Sequence, residues 1–242
     1  MVVHVFKTPE ELAQAAAMVF AAQIAKKPDT VLGLATGSTP VGTYRELARL
    51  NRLGLIDFSE VRTYNLDEYI GLEPTHDQSY RYFMNDNLFN HINIKMENTH
   101  VPCGTGADHW ADARAYDEAV EAAGGIDLQL LGIGHDGHIG FNEPGEAFEL
   151  ETHCVDLTAE TIEANKRFFD GNVDLVPKQA YTMGIKTIMQ ARKVLMVANG
   201  KGKAEIIKKA FFGPVTPEVP ASILQMHPDF TLVGDEEALS LI

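Results

Sequence analysis

Apolar positions along the chain follow two alternating rhythms. Short, nearly continuous apolar runs occur at 31–35 (VLGLA), 61–66 (VRTYNL), 126–133 (IDLQLLGI), 193–198 (KVLMVA) and 230–233 (FTLV). Runs of that kind are the signature of strands buried on both faces. Between them lie longer stretches with helical spacing, at 8–26, 40–53, 77–89, 108–123 and 201–211. The first opens on a capping box, with Thr8 ahead of Pro9 and Glu11. This strand-helix-strand rhythm predicts an α/β fold with a Rossmann-like, mostly parallel sheet and helices on both faces. No internal repeat or low-complexity linker interrupts residues 1–242, so a single domain is expected. Residues 158–178 are the least regular, a short helical pattern running into RFFDGNVDLVPK, and are expected to form a flap or lid.

With 242 residues and 45% hydrophobic side chains, the chain can bury a substantial core. Its formal net charge of -14 argues against nucleic-acid and anionic-membrane partners, which are bound through surplus Lys and Arg. An anionic substrate would therefore need local positive contacts. Cys103 and Cys154 are the only cysteines and form no CxxC pair, so neither a disulfide framework nor a thiolate zinc site is indicated. The first twenty residues lack the pattern of a signal peptide, and no run approaches the roughly 18 apolar residues of a membrane span. A cytoplasmic setting is expected.

In open parallel sheets, ligands bind beyond the carboxyl ends of the strands, so chemistry is sought in the loops that follow them. After the first run comes ATGSTPVGTY, where Thr36, Gly37, Ser38 and Thr39 offer amides and hydroxyls just ahead of a helix. That is the form of a phosphate cradle, and also of an ordinary capped turn; it is not a Walker A loop. The second run ends in NLDEY. Adjacent Asp67 and Glu68 can divide into a proton carrier of raised pKa and a structural acceptor, or can simply cap a solvated strand end.

The third loop, GIGHDGHIGFNEP at 132–144, is the densest in polar chemistry. It sets His138 among Asp136, Asn142 and Glu143, with glycines including Gly137 where backbone must turn or approach a ligand. A carboxylate on one imidazole nitrogen fixes the tautomer and frees the other nitrogen for proton transfer. A metal site from Asp136, His138 and Glu143 is the lesser alternative, since neither HExxH nor a second His/Cys cluster accompanies it. A structural capped turn is another, and His135 is read as a bystander. Arg167 in the irregular segment and Lys203 in NGKGK are the candidate anion contacts, each with the alternative of a solvated surface charge.

The segments LATGSTPVGTY, NLDEYIGL, LLGIGHDGHIGFNEP, RFF, NGKGKA and PASILQMH together resemble the glucosamine-6-phosphate deaminases, over nearly the whole chain. That family shares a superfamily with 6-phosphogluconolactonase and ribose-5-phosphate isomerase, and a lactonase would carry the GxGxDGH core without continuing into IGFNEP. The resemblance implies conversion of D-glucosamine 6-phosphate and water to D-fructose 6-phosphate and ammonia, with no metal or organic cofactor. It implies ring opening by His138, oriented and tuned by Asp136 and Glu143, and a C2-to-C1 proton shuttle by Asp67. The phosphate would rest on residues 36–39, Arg167 and Lys203, with Gly137 also against the substrate. A base in that role calls for a pKa above the roughly 3.9 of a free aspartic acid.

Regulated members of that family place serines and basic residues after FNEP, in an intersubunit pocket for N-acetylglucosamine 6-phosphate. Here the stretch is GEAFELETHCVDL, with Glu146, Glu149 and Glu151, and the chain ends at Ile242. Acidic side chains repel a phosphorylated activator. An unregulated enzyme with hyperbolic kinetics is expected, as a monomer or small homo-oligomer. The competing readings are a 6-phosphogluconolactonase-like hydrolase, which needs no carbon-acid base, and a non-catalytic sugar-phosphate sensor. Sensors of that kind carry a helix-turn-helix, and neither terminus has its basic pattern.

Overall fold

The structure, a computed structural model, describes the backbone of residues 1–242 and the side chains except those at positions 160, 164 and 168. Four of the expected apolar runs become the central strands β2 (Val31–Leu34), β6 (Leu128–Leu131), β9 (Val194–Ala198) and β10 (Phe230–Asp235). They are buried almost without interruption because helices cover both faces. Around them lie β1 (Val2–Phe6), β3 (Arg62–Asn65) and β5 (Thr99–His100), giving seven parallel strands in the order β1-β10-β9-β6-β2-β3-β5. Helices α1 (Pro9–Lys26), α2 (Val41–Arg52), α3 (Tyr80–Asn87) and α4 (His109–Ala122) alternate with the first strands. The short α6 (Ile185–Gln190) and then α7 (Ala204–Phe212) flank β9.

The strand order dictates where a ligand can sit. From β2 the chain proceeds toward β3 and β5, whereas from β6 it proceeds the other way, toward β9 and β10. Right-handed crossovers then send the helices that follow β2 and β6 to opposite faces. The loops leaving β2 and β6 therefore diverge, and a crevice opens between them at the carboxyl ends. Those two loops are 35–40 and 132–144.

Local signals account for the helix ends. Thr8 accepts the Glu11 N–H at 3.2 Å, and Asp108 accepts two N–H groups at the start of α4. Helix α3 begins at Ser79, whose hydroxyl accepts the Tyr82 N–H, rather than at 77 where the apolar spacing starts. Residues 201–203 form a 3-10 turn before α7.

Besides the two-residue β5 and the short α6, two elements were not legible in the pattern. Strand β1 pairs with β10 at the sheet edge and is mostly exposed, so its VVHVF sequence has no alternation to betray it. The second is a separate three-stranded antiparallel sheet, β4-β8-β7, formed by β4 (Asp67–Tyr69), β7 (His153–Asp156) and β8 (Gln179–Thr182). The run at 61–66 does not end the second strand unit. The chain bends at Leu66, whose N–H still pairs with Leu34 O at 3.1 Å, and whose carbonyl accepts the Met183 N–H of the small sheet at 2.7 Å. The irregular segment 158–178 lies between β7 and β8 and holds α5 (Ala159–Asn165) and two 3-10 turns. Among the described residues, no helix is long and apolar enough to cross a membrane.

Candidate active site

A cavity of about 550 Å³ opens in the crevice, walled by residues 35–40, by residues after β6, by Asp67, and by the segment after β7. Its first wall is the loop leaving β2. Thr36, Gly37, Ser38 and Thr39 all line the cavity at the N-terminus of α2, where free amides and the helix dipole favour an anion. The loop is braced from below by Tyr44, a fully buried residue of α2. Its hydroxyl donates to Ala35 O at 2.5 Å and accepts the Ala35 N–H at 3.2 Å. Thr39 is tied across the crevice to Asn199 at 3.0 Å.

Positive charge enters from two sides. Lys203, in the turn before α7, donates to Ile133 O at 2.6 Å and faces the cavity half-buried. Burial pulls its pKa below the ordinary lysine value, and the charge of Asp136 partly opposes that. Arg167 reaches the cavity from the turn that follows α5.

The acidic pair after β3 divides sharply. Glu68 turns away from the crevice and accepts the N–H groups of Tyr69, Tyr80 and Arg81 at 2.9, 2.9 and 3.0 Å, anchoring the start of α3. Asp67 faces the cavity but is buried, and its Oδ1 has no hydrogen-bond partner among the described residues. Burial first, and the neighbouring Glu68 charge second, raise its pKa from an ordinary 3.8 to about 8. A carboxylate without donors is a strong base when ionised.

In the loop leaving β6, the His138 Nδ1 lies 2.7 Å from Asp136 Oδ1, a contact that becomes an ion pair when the ring is protonated. The same oxygen accepts the His138 backbone N–H at 3.0 Å. His138 lines the cavity, while Asp136 stands behind it and faces an outer groove. Burial works to raise the Asp136 pKa, but the His138 ring and N–H outweigh it and bring the carboxyl to about 2. The imidazole rests on Gly134, where a Cβ would stand 2.3 Å from the ring.

Two residues of this loop sit elsewhere than the sequence reading placed them. Glu143 was expected to orient His138; instead its carboxylate accepts the hydroxyl of Thr161 at 2.5 Å and that of Thr158 at 3.5 Å, holding the start of α5. Gly137 was expected to touch substrate, but it is not in the cavity wall. It packs under Val219 and Ile206, and its carbonyl accepts the Ala221 N–H at 2.9 Å.

Sequence reasoning passed over the aromatic side of the cavity, formed by Tyr69, Tyr80, Phe141 and Phe169. Tyr80 and Phe141 stack with centroids 6.1 Å apart, and Asn165 of α5 donates to the Tyr69 hydroxyl at 2.8 Å. The DEY and GFNEP segments held the signal, an aromatic directly beside each polar cluster. Among the described residues, no group of three or more His, Cys, Asp or Glu is placed to hold a metal ion. The cleft thus combines the loop at 36–39 with Lys203 and Arg167, a buried carboxyl whose Oδ1 has no partner among the described residues, and a histidine beside a carboxyl held well below the usual range.

Comparison with known proteins places this geometry in context. Residues 7–232 match the family described as glucosamine-6-phosphate isomerases/6-phosphogluconolactonase. A glucosamine-6-phosphate deaminase of Lachnoclostridium phytofermentans is 60% identical over 92% of this chain and 94% of its own length. One from Clostridium perfringens is 54% identical over 98% of both chains. Among solved structures, a monomeric glucosamine-6-phosphate deaminase superposes over 100% of both chains with a TM-score of 0.96 and 47% identity.

Proposed function

The chain belongs to the glucosamine-6-phosphate isomerase/6-phosphogluconolactonase family, and we infer that it is a glucosamine-6-phosphate deaminase, forming D-fructose 6-phosphate and ammonia from D-glucosamine 6-phosphate and water. Residues 1–242 act as a single catalytic domain in this reading. The observation that carries it is Asp67, a buried carboxyl whose pKa burial raises to about 8 and whose Oδ1 has no hydrogen-bond partner among the described residues, in the same cavity as His138. Lactone hydrolysis has no step that needs such a base. Removal of a carbon-bound proton does.

The phosphate rests on the amides and hydroxyls of residues 36–39, with Lys203 and Arg167 supplying charge. His138 takes the proton of the anomeric hydroxyl and delivers one to the ring oxygen, opening the pyranose to the aldehyde. Asp136, ionised at any working pH, holds the imidazole for this and stabilises its charged form. Ionised Asp67 then removes the C2 proton, and the electron pair forms an enolamine as O1 is protonated. Asp67 returns the proton to C1, leaving an iminium at C2. Water adds there, and ammonia leaves. Glu143 contributes by fixing α5 over the cavity.

The acidic stretch after Pro144 supports an unregulated, monomeric enzyme, and its two free cysteines suit a reducing cytoplasm. Ammonia and fructose 6-phosphate are measured on addition of glucosamine 6-phosphate, with 6-phosphogluconolactone hydrolysis run in parallel. Hyperbolic ammonia release is expected. Lactone hydrolysis alone would overturn the reading.

A further inference from the structure

We propose that Thr182 is a positioning residue for this reaction, clamping the loop that carries His138 to the strand that carries Asp67; the proposal rests on the deaminase reading above. The two catalytic groups arise from different places in the fold. His138 follows β6, whereas Asp67 begins β4 just beyond the end of β3, and β2 lies between β6 and β3 in the parallel sheet. Their separation therefore depends on whatever joins the two loops above the sheet.

Thr182 is fully buried at the end of β8 and is the register partner of Asp67. Its Oγ1 accepts the Phe141 N–H at 2.9 Å and takes a longer contact from the Asn142 side-chain amide at 3.4 Å. Gly140 fits between the two catalytic elements. Its φ is +62°, and a Cβ there would stand 2.7 Å from Thr182 Oγ1 and 3.7 Å from Asp67 Oδ2, so hydroxyl and carboxylate flank the same glycine. The next residue completes the clamp. Met183 donates its N–H to Leu66 O at 2.7 Å, and its carbonyl accepts the Asn142 amide at 2.8 Å.

Two consecutive residues, Thr182 at the end of β8 and Met183 just beyond it, thus hold residues 140–142 on one side and 66–67 on the other. Met183 does so with its backbone, which substitution cannot remove. Thr182 pairs with Asp67 through its backbone but holds the Phe141 N–H with its side chain, so its hydroxyl is the replaceable part of the clamp. Neither residue lines the cavity. Loss of the hydroxyl leaves the phosphate contacts in place and lets the spacing between His138 and Asp67 relax, and a displacement of about 1 Å from reacting geometry costs on the order of 100-fold in rate.

The test compares purified wild type with Thr182→Val and Thr182→Ser in steady-state ammonia release. In Thr182→Val, kcat is expected to fall about 10- to 100-fold with KM within about threefold of wild type, and Thr182→Ser is expected to recover kcat to within about threefold. Should Thr182→Val melt too early to assay, Thr182→Ala set against Thr182→Ser isolates the same hydroxyl without added bulk. A valine variant with normal kcat would overturn the proposal, as would serine falling as far as valine, since the methyl group would then be what matters. A KM that rises in step with the loss of kcat would place the effect in substrate binding and overturn it too. No ammonia from wild type would sink the deaminase reading itself, an outcome distinct from active wild type with an indifferent Thr182→Val.

Discussion

The seven-stranded sheet and the three-stranded sheet furnish the cleft with different kinds of chemistry. The large sheet supplies backbone: free amides after β2, and a glycine-rich loop after β6 that seats His138 against Gly134. The small sheet supplies a buried carboxyl, because β4 places Asp67 against β8, where among the described residues no donor reaches Oδ1. Anion binding profits from helix N-termini that a parallel sheet provides automatically. A strong carboxylate base requires their absence. Locating the two functions in separate sheets lets each have its own electrostatic environment a short distance apart.

The sharpest way to break this contrast is Asp67→Asn, which is expected to lower kcat at least about 10³-fold, because the amide cannot accept the C2 proton. Turnover near wild type would remove Asp67 from the mechanism. Stability gives an independent reading of the same residue. With a folded pKa of about 8 against an ordinary 3.8, folded Asp67 retains a proton that the unfolded chain releases between those values. Its contribution is therefore fully present below about pH 4 and is lost as pH rises through 8. Asparagine never ionises, so Asp67→Asn should melt progressively higher than wild type from pH 5 to pH 9, gaining upwards of about 1 kcal/mol at the alkaline end. In wild type the acid limb of kcat/KM should report the same ionisation, rising toward pH 8.

On the large-sheet side, Gly134→Ala comes next. A methyl 2.3 Å from the imidazole must displace His138 from the cavity wall or the loop from the sheet. A loss of kcat of about 100-fold is expected, with the phosphate contacts and hence KM changed little. Lys203→Met probes the anion wall and should show the converse, a KM for glucosamine 6-phosphate raised roughly 10- to 100-fold, equivalent to about 1.4 to 2.7 kcal/mol, with kcat less affected. Were Lys203→Met to depress kcat alone, the assignment of anion binding to this wall of the large sheet would be wrong.

The two sheets also differ in how far they could be read from sequence. Strands β2, β6 and β9 announce themselves because burial on both faces demands unbroken apolar runs, and the cradle and the His138 loop follow them directly. Asp67 was found for the same reason, at the end of the run that becomes β3. The sheet it belongs to was not, since β7 (HCVD) and β8 (QAYT) are each only four residues long and mix polar with apolar side chains, with neither alternation nor a continuous apolar run, although β8 is buried beyond Gln179. Glu143 shows the limit within a well-read segment. Proximity in sequence to His138 suggested a partnership, but the turn through Gly140 to Asn142 carries Glu143 away to Thr161, a contact between residues 18 apart. Spacing identifies which side chains share a loop and does not fix which way each one points.

That contact yields the smallest expected effect. Glu143 holds α5 by the hydroxyls of Thr161 and Thr158, and Asn165 holds the same helix to Tyr69 in the small sheet. Because α5 is fastened at both of its ends, removing one fastening shifts its position without freeing it. Thr161→Val keeps the shape of the side chain and deletes the donor, leaving Thr158 to reach Glu143. The loss of one charge-assisted hydrogen bond at a half-exposed site is worth about 1 kcal/mol, so kcat and KM should both change by about two- to fivefold, in step, as the segment over the cavity closes less completely. A change confined to kcat would instead mean that Glu143 acts on His138 during turnover, and that this loop reaches its working geometry only around the substrate.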